Sequence, residues 1–288
     1  VCLSMAASYL TGDASITPYR VAQYAANAGY YVPGQGTSWS LLTEGAAAFG
    51  VNCRQLALDE AQIELFYCGT LPPDAVEALF AATPLVQRRD GPLYQPQTGI
   101  AAQPAGAPRE VIEEEQVTQG KLSLGFRTGG HCLTGGNPAA YWMFQTLYGG
   151  STSSKLFLNV RERKSLCYYA SAQFISPKGM MMVNSGIENK DFETARDEIL
   201  RQLDTCRAGD ITDAEIDAAR KTLTTNWRAM LDDPLTLERY WLGQAAAGTL
   251  VTPEERIAQV AAVTRGDIVA AAQATALDTV YFMKGAAQ

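Results

Sequence analysis

With 288 residues, 31.0 kDa and 47% hydrophobic against 18% charged side chains, the chain can bury a large core, as one large domain or two ordinary ones, and is neither disordered nor fibrous. Thirty acidic against 23 basic side chains give a formal charge of −7 and a pI near 4.9, which argues against a broad phosphate-binding face and against nucleic acid as a partner. The sequence holds one histidine, His131, so a two-histidine zinc motif such as H-x-x-E-H cannot be built from it.

Taken in chain order, residues 1–60 read as three short helices, 2–10, 18–28 and 38–49, and a strand, 51–57. Thr17 caps the second helix with Pro18 at its first position, Gly29 closes it, and Gly50 closes the third. A strand over 63–68 is followed by a Pro72-Pro73-Asp74 helix start and the apolar stripe Val76, Leu79, Phe80. Residues 87–108 are rich in Pro, Gly, Gln and Ala without a hydrophobic period, the signature of a linker or long surface loop. The segments 110–116 and 121–127 come next, and the second alternates Leu122, Leu124 and Phe126 with polar neighbours as a half-buried strand does. A glycine-rich stretch, 129–136, breaks it.

Beyond Pro138 the caps and periods agree with one another. Helices are expected over 139–148 and 153–160, then strands over 166–175 and 179–186 turned at Pro177-Lys178-Gly179. Phe192, Ala195, Ile199, Leu203 and Cys206 form one helical face ending at Gly209, and Thr212 with Glu215 makes a capping box for the helix carrying Ile216, Ala219, Leu223, Trp227 and Met230. Pro234 interrupts that helix. Thr252-Pro253 opens another, Thr264 caps one more, and 277–283 reads as a final strand. Paired strands followed by packed helices predict an α+β layer and not a regular doubly wound parallel sheet.

No apolar run approaches the ~18 residues needed to span a bilayer, and the first residues lack a secretory plan, so a soluble, cytoplasmic protein with no membrane partner is expected. Cys2, Cys53, Cys68, Cys132, Cys167 and Cys206 contain no C-x-x-C pair, which points to neither a zinc ribbon nor a disulfide framework, and most read as small buried hydrophobes.

Four places could carry chemistry. His131, in Gly129-Gly130-His131-Cys132, lies beside a thiol, yet sequence neighbours point apart, and a structural or exposed role is the simpler reading. The run from Gly149 to Lys155 has glycines and hydroxyls before a lysine, but Leu156 follows Lys155 where a phosphate loop needs Ser or Thr, so it reads as a turn with an N-cap serine. Glu113, Glu114 and Glu115 lack a histidine partner and read as a solvated edge. Arg161 and Tyr168, at a helix end and a strand start, could converge on a carbonyl or carboxylate, although from the residues alone a cation favourable to the helix dipole and a packed tyrosine is the simpler account.

The stretches IELFYCG, VTQGKLSLGFRT, LYGGSTSSKLFLNVRERKSLCYYASA, GMMMVNSGIENKDFETARDEI and LDTVYFMKG resemble the C-terminal half of an M16 (pitrilysin/insulinase) metallopeptidase, over residues 63–288. The closest subgroup is that of bacterial proteins associated with aminopentanol modification of elongation factor P. The resemblance implies the LuxS/metallopeptidase-like α+β fold, a mixed sheet packed with helices. It also implies that Arg161 and Tyr168, seven residues apart, bind peptide near the scissile carbonyl. Such donors, aimed at a developing oxyanion, gain strength in a closed, dry chamber. The family's zinc motif is not in this sequence, so no catalytic residue, metal ligand or cofactor is assigned to the chain. Zinc is expected in a partner, either an M16 subunit or a missing N-terminal half.

VCLSMAASYLTGD, ITPYRVAQYA and GYYVPGQGTSWSLLTEGAAAFGVN instead resemble the start of a C39-like cysteine peptidase domain, without its Cys-Gly-Pro nucleophile motif or histidine. A small helical fragment, 1–62, is therefore expected ahead of an M16-like domain, 63–288, with a junction near 61–63 formed by fusion, truncation or a misassembled frame. The reading that follows is a non-catalytic, peptide-gripping half, inactive alone. The alternatives are an M16-like scaffold of the kind found in respiratory complexes, and residual thiol peptidase activity at Cys2.

Overall fold

The computed structural model describes residues 15–16, 18–29, 31–32, 36–37, 44, 46–49, 63–83 and 99–285. The expected helix 2–10 and strand 51–57 lie outside them, as do Cys2, Cys53, residues 61–62 of the junction and 87–98 of the linker. The rest of that linker, 99–108, forms neither helix nor strand. The chain divides into two compact units, Val1–Ile63 with Leu71–Gln95, and Glu64–Thr70 with Pro96–Gln288.

In the first unit, helix α1 (Pro18–Asn27) buries Val21 and Ala25 in a small cluster with Ile16, Ala46 and Phe49. The Tyr24 ring meets Phe49 edge-on at 5.3 Å. Gly29 takes φ +72° and ends the helix, as its missing Cβ permits. A hairpin not foreseen from sequence, β1 (Tyr31–Val32) against β2 (Gly36–Thr37), follows. Of the helix expected over 38–49, residues 44 and 46–49 are described, and Ala46–Ala48 forms the single turn α2. Helix α3 (Pro73–Ala81) starts at the proline pair as expected, with Val76 and Phe80 half-buried and Leu79 exposed.

The strand expected over 63–68 is not one. A strand persists by pairing its N–H and C=O groups, and among the described residues nothing ladders with this segment. Leu65 and Tyr67, which gave it its apolar pattern, are exposed.

The second unit is a five-stranded mixed sheet under a layer of helices, ordered β3 (Arg109–Glu115), β7 (Ala276–Gly285), β4 (Gly120–Arg127), β6 (Met180–Ile187), β5 (Cys167–Ile175). β3 runs parallel to β7 and the other neighbours are antiparallel. Period-2 alternation sends Leu122, Leu124 and Phe126 of β4, with Met181 and Val183 of β6, into one core. Helix α4 (Pro138–Gly149), capped by the Asn137 side chain accepting from Ala140 N–H at 3.1 Å, is buried on most sides and fills the centre of that core with Tyr141, Phe144 and Tyr148.

Around it lie α5 (Phe192–Arg207), α6 (Asp213–Met230), α8 (Pro253–Ala261) and α9 (Arg265–Ala274). Thr212–Glu215, Thr252–Glu255 and Thr264–Asp267 are all reciprocal capping boxes, which is why these boundaries are legible. Helix α7 (Pro234–Ala246) occupies the place where the sequence predicts only an interruption. Pro234 is its first residue and Asp233 its cap, accepting from Leu235 N–H at 3.2 Å.

The helix expected over 153–160 is wound differently. Phe157–Arg163 forms a π-helix, one turn further along the chain. Asn159 Nδ2 donates to the Lys155 carbonyl at 3.0 Å, competing for the acceptor that an α-helical Asn159 N–H would use.

Candidate functional site

Along the outer edge of the sheet lies a cleft of about 480 Å³. Its walls are α4 with Trp142 and Gln145, the turn after Gly149, the π-helix with Phe157 and Arg161, and residues 169–174 of β5. α4 approaches β5 so closely that a Cβ at Gly149 would stand 2.7 Å from both the backbone nitrogen and Cβ of Ala172. Gln145 Nε2 donates to the Ala172 carbonyl at 2.5 Å and ties wall to strand. Behind Trp142, the Arg256 guanidinium lies 4.5 Å from the ring centre and Trp227 meets it edge-on at 5.5 Å.

Arg161 projects from the π-helix with its guanidinium 4.6 Å from the Phe157 ring centre. Its backbone is fixed from both sides, because Ser165 N–H donates to the Arg161 carbonyl at 3.0 Å and Leu166 N–H to Val160 at 3.1 Å. Ser165 turns the chain there with φ +51°, the one non-glycine in the left-handed region among the described residues.

A buried polar network holds the π-helix against α5. Glu198, 2% exposed at its side chain, accepts from Lys164 at 2.6 Å, from Arg201 at 2.6 and 2.9 Å, and from Gln202 at 2.7 Å. Gln202 in turn accepts from Asn159 at 3.0 Å, and Asn159 accepts from Arg163 at 3.0 Å. Burial alone would raise the Glu198 carboxyl, but the donors from Arg201, Lys164 and Gln202 outweigh it and hold the group at about 2.

Tyr168 is the extra residue of a β-bulge. Cys167 pairs with Ile187 and Tyr169 with Gly186, and Tyr168 between them is 75% exposed. The seven-residue spacing thus brings Arg161 to the cleft wall, while Tyr168 stands outside the lining and its neighbour Tyr169 lies in it. Burial pushes the Cys167 thiol up, opposed by Ser185 and by the Arg161 charge.

The remaining candidates have structural tasks. His131 Nδ1 accepts from Asn137 N–H at 3.1 Å, bracing the loop that leads into α4. Ser154 Oγ accepts from Phe157 N–H at 3.3 Å as a cap, and Lys155 Nζ sits 2.8 Å from Glu215. Glu113 accepts from Tyr281 at 2.7 Å on the edge strand β3. Of the described cysteines, Cys132 and Cys206 are buried, Cys167 is half-buried and Cys68 is exposed. The residues present do not fit a zinc peptidase site: the sequence holds one histidine, and among the described residues no group of three or more His, Cys, Asp or Glu could hold a metal. No helix of the described residues is long and apolar enough to cross a membrane.

Trp142, Gln145 and the Glu198 network were not foreseen. The signal for Glu198 was present, since Ala195, Glu198 and Gln202 follow one another at helical spacing beside the apolar stripe, with Arg201 three residues on.

The family described as "Peptidase M16 inactive domain" matches residues 57–223. A Bacillus subtilis (strain 168) protein named "Probable inactive metalloprotease YmfF" is 35% identical over 231 residues, 80% of this chain and 53% of that protein. Among solved structures, a conserved protein from Enterococcus faecalis V583 aligns with a TM-score of 0.65 and 29% identity, covering 76% of this chain and 51% of the other. A peptidase M16 inactive domain from Pseudomonas fluorescens gives a TM-score of 0.60 at 19% identity, over 75% of this chain and 52% of that one, a likeness of fold. The chain spans about half the length of these relatives.

Proposed function

Because the chain belongs to the peptidase M16 inactive-domain family, we propose that it is the non-catalytic, peptide-holding half of an M16-type assembly whose hydrolysis is carried out by a zinc-bearing partner half. The observation that carries this reading is the placement of Arg161: a guanidinium presented by a π-helix that Asn159 and Gln202 brace against α5, lining a cleft of about 480 Å³ beside a sheet edge. A forked, permanently charged donor suits peptide carbonyls and carboxylates. Tyr168, exposed at the bulge, would meet the same peptide outside the cleft. The test is fluorescence anisotropy with a labelled extended peptide, in which Arg161→Ala weakens binding by about tenfold or more and Tyr168→Phe by less.

A second reading, an M16-like scaffold without peptide binding, is favoured by the position of Tyr168 outside the cleft lining. Unchanged peptide affinity in both variants would establish it. Residues 1–62 are read as the C39-like fragment, with Cys2 as its only thiol near a nucleophile position. Labelling of Cys2 by a thiol-reactive peptide analogue, lost in Cys2→Ala, would move activity there.

A further inference from the structure

We propose that the cleft takes the C-terminal carboxylate of an extended peptide, anchored on Arg161. This rests on the peptide-holding reading and names the ligand end that the site selects. β5 is the outermost strand of its sheet among the described residues, and the consecutive residues 169–174 all line the cleft. Residues of both strand faces border it, as happens along a free edge. An extended chain laid antiparallel on that edge, the stronger pairing, has its C-terminus toward the start of β5.

Arg161 stands at that start. The bonds from Ser165 and Leu166 place its backbone directly below the residues that enter β5, and its charge acts on Cys167. At the same end the Tyr168 bulge breaks the register, so regular pairing cannot continue past Tyr169. A strand added to this edge therefore stops where the guanidinium is.

Charge and dipole agree with that direction. Among the described residues Arg161 is the one formally charged residue in the lining, with no Asp or Glu beside it there. Glu162, 3.7 Å from its Nε, is an exposed neighbour of little energetic consequence. The C-terminal end of α4, whose carbonyls disfavour an anion, meets β5 at Ala172, further along the strand. The Ala172 carbonyl is already taken by the Gln145 amide, so the added strand pairs between Ala172 and the start of β5, where a carboxylate is welcome at Arg161. Trp142, Phe157 and Phe174 give the cleft apolar walls for the last side chains of the peptide.

The full chain is titrated with a dye-labelled octapeptide ending in Leu-Phe, as the free acid, as the C-terminal amide, and as an amide with Glu placed internally. The free acid is expected to bind at least about tenfold tighter than either amide. Arg161→Ala should bring the acid down to the level of the amide, and Arg161→Lys should restore part of the preference. Equal affinity of acid and plain amide would overturn the inference while leaving peptide holding intact. The internal-Glu amide binding as tightly as the free acid would overturn it in favour of side-chain recognition. Binding of none of the three would overturn both it and the reading on which it rests.

Discussion

Gly149 shows how one residue sets the width of the cleft. At an ordinary helical position alanine is better than glycine by about 1 kcal/mol. Here an added Cβ would stand 2.7 Å from Ala172 and 2.8 Å from Leu156 Cδ1, against a strand that cannot withdraw without breaking its pairing with β6. Gly149→Ala is therefore expected to destabilise the second unit by about 1–3 kcal/mol, read as a lowered urea midpoint at unchanged slope. At this scale the sequence was legible where a residue acts through local chemistry. The N-cap serine ahead of the helix, the Thr212–Glu215 box and the ill-spaced Lys155 followed from neighbours within four positions. Gly149 and Trp142 were not legible, because what makes them matter is a strand 20 or more residues away, and no local pattern announces it.

Among the elements, the π-helix depends most on a distant partner. Its register and the presentation of Arg161 rest on Asn159, Gln202 and Glu198, all joined across α5. Glu198 is held at about 2, below its unfolded value near 4.5, so its contribution is complete above pH ~4.5 and is lost as pH falls toward 2. The expectation is a wild-type melting temperature that drops more steeply than that of Glu198→Gln between pH ~4.5 and ~2.5. At pH 7 the variant should be less stable by about 2–3 kcal/mol, because Lys164 and Arg201 lose their shared anion. Parallel slopes in the two proteins would remove Glu198 from the acid response. The same dependence on partners explains which elements the sequence misplaced. Residues 63–68 had the composition of a strand but no ladder, and 153–160 had a helical period whose hydrogen-bond register Asn159 altered. α7 was hidden because Pro234 can end a helix or begin one, and the Asp233 cap decides for a beginning.

For the molecule as a whole, the two hydrophobic clusters share no residue: Ile16, Val21, Ala25, Ala46 and Phe49 form one, and the core built on Leu124, Phe144 and Ile199 forms the other. Two denaturation transitions are expected. Leu124→Ala should lower the second unit's midpoint by about 2–5 kcal/mol equivalent and leave the other transition in place, with Phe49→Ala doing the reverse. A single transition moved by both substitutions would show one cooperative body.

Function at this scale turns on what a solitary imidazole can do. Activating water on zinc takes three protein ligands and an open position, and His131 is already occupied by Asn137 N–H. Purified chain is accordingly expected to carry well under one zinc per molecule by elemental analysis, and to cleave no peptide in a chelator-sensitive way. Mixing it with an M16 half that bears H-x-x-E-H should produce such cleavage, and Arg161→Ala in this chain should then raise KM more than it lowers kcat, because a group that holds the peptide acts on ground state and transition state alike. A mixture as inactive as its components would leave the fold in place and remove hydrolysis from its purpose.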